Sequence, residues 1–433
     1  MMNADPRQEF ATQVVARLRE TGFEAYWAGG CVRDLLLGIE PSDFDIATDA
    51  RPEQVIKLFR RTCAVGASFG VVRVLGSAST GDVEVATFRS DGVYLDGRRP
   101  ETVTYSTAEF DASRRDFTIN GMFYDPIEQR VIDHVGGRAD LESGLLRAIG
   151  DPSARFAEDK LRLLRAVRFA SRFGLAIEPE TRRALGAMAS KVTTVSVERI
   201  AQELRRMLID PSRVGAMTLA DETGLLAAVM PELMRIKGRN DGFEADAWDR
   251  TIRVLANLPD SPSFPLVLAA LLHEVKMPID GERHERAGRD VAWRVATRLK
   301  LANAERDRTA WLVEHHHALE GAADQPESKL KRLLATDGIV ELLALHRAIA
   351  LASTGDVSHV DYSERYLRDQ PAGPINPPPL LTGHDLARHG LRPSPRFAML
   401  LDKVRDAQLN RLIDSKAEAI ELVDRILANV GET

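Results

Sequence analysis

Three groups of residues near the N-terminus have the types and spacing that chemistry on a phosphate chain requires. Gly29 and Gly30 permit a turn whose backbone N–H groups can approach phosphate with no Cβ in the way. Arg33 adds a rigid fork of donors matched to phosphate oxygens. Asp43 and Asp45 follow on either side of Phe44, so strand alternation puts both carboxylates on one face. Neighbouring carboxylates repel unless divalent cations sit between them, and Mg²⁺ takes one or two carboxylates together with phosphate oxygens. The chemistry these groups suit together is nucleotidyl transfer. Each half alone has a plainer reading, a simple turn for Gly-Gly and a loop or helix cap for Asp-x-Asp. Their conjunction carries the inference.

The elements that must hold these groups follow from periodicity. Phe10, Val14 and Leu18, closed by Gly22, predict a helix over 8–21. A strand over 23–28 enters the Gly-Gly turn, and a short helix from Val32 to Leu37 follows with its N-terminus facing the phosphates. The Asp-x-Asp strand covers 43–47, Pro52 opens a helix over 52–60, and alternating strands run Val71–Leu75 and Val83–Phe88. Glu84 is the only charged residue in Val83–Phe88. A buried acid needs a partner or a metal; the alternative is an edge-strand Glu pointing into water. From about residue 145 the texture becomes Leu-, Ala- and Arg-rich, with no convincing strand. The expected class is α+β, a mixed α/β head followed by an all-helical neck, body and tail. Pro- and Gly-rich stretches at 258–265 and 371–379 mark joints in the helical part.

At 433 residues the chain exceeds one ordinary core, so two to four domains are expected. No run of about 18 apolar residues exists, which excludes a membrane-spanning helix. Asp5 and Glu9 interrupt the N-terminus, which therefore does not read as a secretory signal. Cys31 and Cys63 are too few for a disulfide framework or a zinc cluster and suit a reducing cytoplasm. The net charge of −6 argues against a nucleic-acid partner, yet residues 151–215 carry 13 Lys/Arg against 8 Asp/Glu. That local excess fits a module gripping phosphates as well as it fits a solvated helix surface.

The run Gly29-Gly30-Cys31-Val32-Arg33-Asp34 with Leu35-Leu36-Leu37-Gly38 and Asp43-Phe44-Asp45 resembles the head of the class II tRNA nucleotidyltransferase and bacterial poly(A) polymerase family. Four further stretches match in order. Arg114 to Met122 resembles the second head motif, and Asp133-His134-Val135-Gly136-Gly137 through Asp140-Leu141 the end of that domain. Glu158-Asp159-Lys160-Leu161-Arg162 and Leu163 to Phe169 resemble the base-selecting helix, and Glu198-Arg199-Ile200 through Glu203-Leu204 the next neck helix. Beyond residue 210 the likeness weakens, to Leu380 through Leu386 in a tail like that of tRNA-specific members. Gly121 departs from the family's usual Ala, with no catalytic consequence expected.

The resemblance implies a polymerase-beta-like nucleotidyltransferase head over 1–150, a neck over 151–215, a body over 216–370 and a tRNA-binding tail over 371–433. It makes Asp43, Asp45 and Glu84 catalytic, with Asp43 and Asp45 holding Mg²⁺. It assigns Gly29, Gly30, Arg33 and Arg115 to the triphosphate, and Arg165 and Arg168 to ribose or phosphate. Arg114 stays undecided, and Asp116 reads equally as an N-cap beside two surface arginines. The partners implied are CTP, ATP and the 3′ end and acceptor arm of tRNA. Residues 91–103 match the flexible loop that members adding the terminal A possess, with a plain hairpin loop as the other reading.

Asp159, Arg162 and Arg165 stand at i, i+3, i+6 beside an apolar face of Phe156, Leu163, Val167 and Ala170. A structural Asp159–Arg162 salt bridge is one reading. The other follows from base edges: cytosine and adenine both offer an amino donor beside a ring-nitrogen acceptor, and uracil and guanine reverse that order. A fixed Asp acceptor beside a fixed Arg donor selects the first pair, by roughly 10⁴ when mismatches leave buried polar groups unpaired. On one helical stripe the two residues could be exchanged with modest damage to the fold. Leu271-Leu272-His273-Glu274 and His315-His316-His317 resemble a decayed HD phosphohydrolase, with Trp248-Asp249-Arg250 where its first His stands. That segment is read as a scaffold with its His cluster at the surface. The reaction expected is addition of C, C and A to tRNA. Its rivals are poly(A) synthesis, A-only addition, an RNA-binding protein on a dead head, and an HD hydrolase, the last disfavoured by Arg250 and Glu274.

Overall fold

Ala25, Trp27 and Ala28 are buried along strand β1 (Ala25–Ala28), which lies within the sheet of the head. The computed structural model describes residues 5–64, 70–91, 103–240, 246–275, 284–369 and 374–431. Among them the sheet has seven strands in the order β3-β4-β5-β2-β1-β8-β9. These are β1, β2 (Asp45–Thr48), β3 (Thr62–Cys63), β4 (Val71–Val74), β5 (Val83–Thr87), β8 (Phe123–Asp125) and β9 (Arg130–Ile132). A separate hairpin pairs β6 (Arg89–Asp91) with β7 (Val103–Tyr105), matching Arg89 to Tyr105. Its tip, residues 92–102 of the expected flexible loop, lies outside the described residues. Within the seven-stranded sheet pairing is antiparallel except between β2 and β5.

The helices of the head fall close to expectation: α1 (Pro6–Glu20), α2 (Gly30–Leu36) and α3 (Pro52–Leu58), then α4 (Ala108–Ser113) and α5 (Gly137–Glu142). Asp5 caps α1 by accepting from the Arg7 N–H at 2.9 Å, and Ala11, Val14, Val15 and Leu18 bury its apolar stripe. Tyr26 lies against Phe88 and Phe123, in a cluster that also takes in Ala47 of β2 and Ala108 and Ala112 of α4. Gly121 fits this tight packing, since a Cβ there lies 2.7 Å from Val135 Cγ2.

After the head come α6 (Pro152–Glu158), α7 (Leu161–Phe173), α8 (Pro179–Met188), α9 (Val197–Leu208) and α10 (Arg213–Glu222), the last crossing the neck limit expected at 215. Here the sequence reading needs two corrections. The stripe from Phe156 to Ala170 is not one helix: it breaks at Asp159, whose backbone turns to φ −140°, ψ 104°. Asp159 Oδ1 accepts the Leu161 N–H at 3.0 Å, an Asp side chain competing with the helical ladder. Nor is the part beyond 145 free of strands, because Leu145–Leu146 pairs in parallel with Ala176–Ile177.

The chain forms two compact units, residues 1–231 and 232–433, so the first ends beyond the neck limit read from sequence. In the second, helix Phe264–Leu272 is buried along its whole length. Leu381, Leu386, Leu400, Val404 and Ile413 form the tail's own core. The tail is tied to helix Glu327–Leu334 of the same unit. Lys331 Nζ donates to Leu409 O at 2.7 Å, and Arg332 pairs with Asp402 and Asp406 at 2.6 and 2.8 Å. No described helix is long and apolar enough to cross a membrane.

Candidate active site

Phe44 is the pivot of the acidic pair. It is buried against Trp27, ring centroids 4.8 Å apart, while Asp43 and Asp45 on either side of it are exposed. The alternation expected from sequence therefore holds, with Asp43 just outside β2. Asp43 Oδ1 accepts from Ser42 Oγ at 3.0 Å. Parallel pairing of β2 with β5 sets Asp45 beside Glu84. One edge of Asp45 meets solvent but protein crowds the rest of the carboxyl; that partial loss of water, then the charges of Asp43 and Glu84, push its pKa up to about 6 against the opposing pull of Arg115. Burial, with Asp45 and Asp43 nearby, likewise drives the Cys31 thiol up to about 12.

Glu84 is neither a buried acid nor on an edge strand. β5 lies between β4 and β2, and the Glu84 side chain is 48% exposed and pairs with Arg73 Nη2 at 3.0 Å. Among the described residues no three His, Cys, Asp or Glu side chains gather closely enough to cage an ion. What the site offers is two exposed carboxylates with crowded charge, the hard-oxygen set that suits Mg²⁺ sharing its shell with phosphate.

Gly29 has φ 75°, and a Cβ there would lie 2.7 Å from Arg115 Nη1, so the guanidinium lies directly across the turn. Gly30 begins α2 with its Cβ position open, the nearest atom being Arg33 Nη2 at 3.7 Å. Arg115 donates from Nη1 to Asn120 O at 3.2 Å and from Nη2 to Asp111 Oδ2 at 3.0 Å, and stacks over Phe123. Arg33 is only 5% exposed. Its Nε and Nη2 donate to Asp34 Oδ1 at 2.9 and 2.6 Å, its Nη1 to Asn120 Oδ1 at 2.6 Å, and its plane covers Phe173 at 4.2 Å. It ties the turn to the far end of α7.

The neck residues keep partners that spacing does not reveal. Asp159 Oδ2 accepts from Arg199 Nη2 at 2.7 Å. Arg162 donates from Nη1 to Glu158 Oε2 at 2.6 Å and from Nη2 to Arg114 O at 3.1 Å, so the two residues form no salt bridge with each other. Exchanging them is therefore not mild: it sets a carboxylate beside Glu158 and a second guanidinium beside Arg199. Arg165 Nε reaches Asp116 Oδ2 at 2.7 Å, and Arg168 Nε reaches Glu203 Oε2 at 2.6 Å.

Asp116 is no N-cap, nor is Arg114 a free surface arginine. Asp116 also accepts from the Phe117 N–H and from Asn120 Nδ2. Burial alone raises its pKa, but the Arg165 guanidinium and the Asn120 amide outweigh burial and hold it at about 2. Arg114 Nη2 pairs with Asp111 Oδ1 at 2.7 Å. Asp111, Asn120, Glu158, Arg199 and Glu203 were not singled out as site residues from sequence. Asp111 and Glu158 carried a local signal, Asp111 by its i+3 and i+4 spacing to Arg114 and Arg115 and Glu158 by its i+4 spacing to Arg162, whereas the Asp159–Arg199 and Arg168–Glu203 pairs join distant segments.

In the second unit the HD-like positions hold an ionic cluster. Glu274 accepts from Arg250 Nη2 at 2.8 Å and from Arg239 Nη2 at 2.7 Å. The His cluster is not simply at the surface: His317 is exposed, but His316 is 6% and His273 5% exposed, their rings edge to face.

Residues 25–147 match the family described as the poly A polymerase head domain. Residues 174–237 match one described as a probable RNA and SrmB-binding site of polymerase A. The CCA-adding enzyme of Geobacillus thermodenitrificans is 42% identical over 221 residues, 51% of this chain and only 54% of that one. The CCA-adding enzyme of Lactobacillus johnsonii is 32% identical over 412 residues, 95% of each chain. The Bacillus stearothermophilus CCA-adding enzyme in complex with CTP shares the fold at TM-score 0.75 and 28% identity, over 99% of this chain and 100% of that one. With likeness running over nearly the whole of both chains, the chain belongs to the CCA-adding enzyme family of nucleotidyltransferases.

Proposed function

We propose that the exposed carboxylates flanking Phe44 are the chemical centre of this chain, which adds C, C and A to the 3′ end of tRNA from CTP and ATP and releases pyrophosphate. Asp43 and Asp45 are the residues that would hold the divalent cations, with Mg²⁺ favoured by the all-carboxylate donor set. When bound, such ions promote ionisation of the RNA 3′-hydroxyl and neutralise charge on the triphosphate. Asp45 must be ionised to take part, and its raised pKa means that protons compete for that site below about pH 6. Glu84, beside Asp45 on the paired strand, is the third carboxylate of the centre. It reaches that role by leaving the exposed pair with Arg73, which costs about 1 kcal/mol or less.

Arg115 spans Gly29 and has N–H bonds to spare on its terminal nitrogens for triphosphate oxygens. Arg33, expected from sequence at the triphosphate, is buried and committed to Asp34 and Asn120, and serves that site by bracing the turn. Asp159 and Arg162 read the base edge, Asp159 pre-oriented by Arg199 and Arg162 by Glu158, while Arg165 and Arg168 face ribose and phosphate. Alignment and charge neutralisation then supply most of the rate enhancement. Residues 1–150, 151–215, 216–370 and 371–433 serve as head, neck, body and tRNA-gripping tail. The buried Cys31 and the free Cys63 suit a cytoplasmic enzyme.

The observation that carries this reading is the Arg115 guanidinium laid across Gly29 within the field of Asp45. The test is tRNA lacking its last three nucleotides, offered each NTP singly and then all four. A discrete product ending in CCA is expected. A long A ladder, or a single A added only to CC-ended tRNA, rejects it.

A further inference from the structure

We infer that Asp111 is the positioning residue of the triphosphate arginine and couples it to the root of the 91–103 loop. This rests on the assignment of Arg115 made above. Asp111 lies on α4 and is 1% exposed, a depth at which a carboxylate persists only with strong partners. Its Oδ2 accepts from Arg115 Nε at 3.3 Å and Nη2 at 3.0 Å, its Oδ1 from Arg114 Nε at 2.9 Å and Nη2 at 2.7 Å. Oδ1 also accepts the backbone N–H of Arg89, the first residue of β6, at 3.3 Å. One carboxylate thus gathers the arginine lying across Gly29, its neighbour, and the strand from which the loop departs.

The geometry assigns each side of that carboxylate a task. Two N–H bonds of Arg115 are spent on Asp111 and one on Asn120 O. That fixes the guanidinium plane over Phe123 and leaves the opposite edge for a ligand. Arg114, held through Oδ1, is anchored a second time by its carbonyl, which accepts from Arg155 Nη1 at 3.2 Å and from Arg162 Nη2 at 3.1 Å. A free arginine would spend rotamer entropy on every triphosphate it bound; one locked by a buried carboxylate does not. Asp111 therefore acts before the base is chosen, and its loss weakens CTP and ATP alike.

The experiment is steady-state kinetics of the full chain and of Asp111→Asn, Arg115→Ala and the double variant, with CTP on tRNA lacking CCA and ATP on tRNA ending in CC. Asp111→Asn is expected to raise KM for both nucleotides roughly tenfold, the weight of one charge-assisted contact, with a smaller change in kcat. In the Arg115→Ala background the same change should add less than about twofold, because there is no longer an arginine to position. Asp111→Glu should recover part of the lost KM. An Asp111→Asn enzyme with unchanged KM, or with a full additive loss beside Arg115→Ala, overturns the inference. If Asp111→Asn does not fold by circular dichroism, Asp111→Ser, which also removes the carboxylate, is read in the same cycle, and an unchanged KM there overturns the inference equally. Should Arg115→Ala alone leave KM untouched, it is the assignment of Arg115 that fails.

Discussion

Asp45 is where charge and function pull against each other. Its carboxyl titrates at about 6, first because it is partly desolvated and then because Asp43 and Glu84 share its surroundings. A carboxylate with a raised native pKa binds a proton that the unfolded chain releases, so it costs stability increasingly as pH rises from about 4 through 6. Asp45→Asn removes that repulsion. It should raise the melting temperature of the metal-free protein by about 2 °C at pH 7.5, after discounting for solvent screening, while abolishing incorporation of both CTP and ATP. Asp43→Ala should abolish both as well, since the carboxylates serve a step common to the two nucleotides. Differential scanning fluorimetry in chelator and single-nucleotide extension read the two effects. Substantial extension by either variant moves the centre elsewhere.

Among elements, the neck helix is bound to the head by charge. Arg165 and Asp116 stand 49 residues apart in sequence and 2.7 Å apart in space, with Asp116 8% exposed. Removing one member of such a pair leaves the buried Asp116 without the cation on its Oδ2, so Arg165→Ala should cost about 3 kcal/mol in urea unfolding at pH 7. Because Asp116 titrates at about 2, the pair's contribution is complete above about pH 4 and lost as pH falls through 2. Base selection is best tested one residue at a time, given the separate partners of Asp159 and Arg162. Asp159→Asn retains volume but presents a donor as well as an acceptor, and should reduce the preference for CTP and ATP over UTP and GTP by tenfold or more, on the order of one lost discriminating contact. Unchanged relative kcat/KM in a folded variant removes Asp159 from base reading. Shortening the loop across Gly92–Arg99 should spare CC addition and impair the final A. Equal loss of both steps makes the loop merely structural.

Across the whole chain, the two compact units answer acid differently. In the second, His316 and His346 are 6% and 2% exposed, and burial, then neighbouring histidines, pull their pKa values down to about 2 and 4 against the upward pull of a backbone carbonyl on each. Histidines held neutral in the folded state but protonated when unfolded give stability that is complete above about pH 6.5 and falls steadily below it. At pH 5 each should cost about 2 kcal/mol, so urea unfolding at pH 7 and 5 should show the second unit weakening. His346→Gln should flatten that slope; an unchanged slope means the histidine titrates freely.

Much of this protein was legible residue by residue. The turn at Gly29, the alternation of Asp43, Phe44 and Asp45, the helix opened by Pro52 and the strand carrying Glu84 each depend on a few neighbours in sequence, and that physics is periodic. Motif order pointed to the family for the same reason. What local spacing could not supply was the choice of partners. It suggested that Asp159 and Arg162 lie on one stripe, whereas Asp159 leaves the helix to bond Leu161 N–H and meets Arg199 40 residues on. It suggested surface histidines, whereas His316 and His273 meet edge to face across the core of the second unit. It missed β8 and β9 because three-residue strands exist only through their pairing. A carboxylate's ion pair and a side chain's burial depend on which distant segments the fold brings within a few ångströms, so they belong to the tertiary structure, whereas turns and alternation belong to the chain.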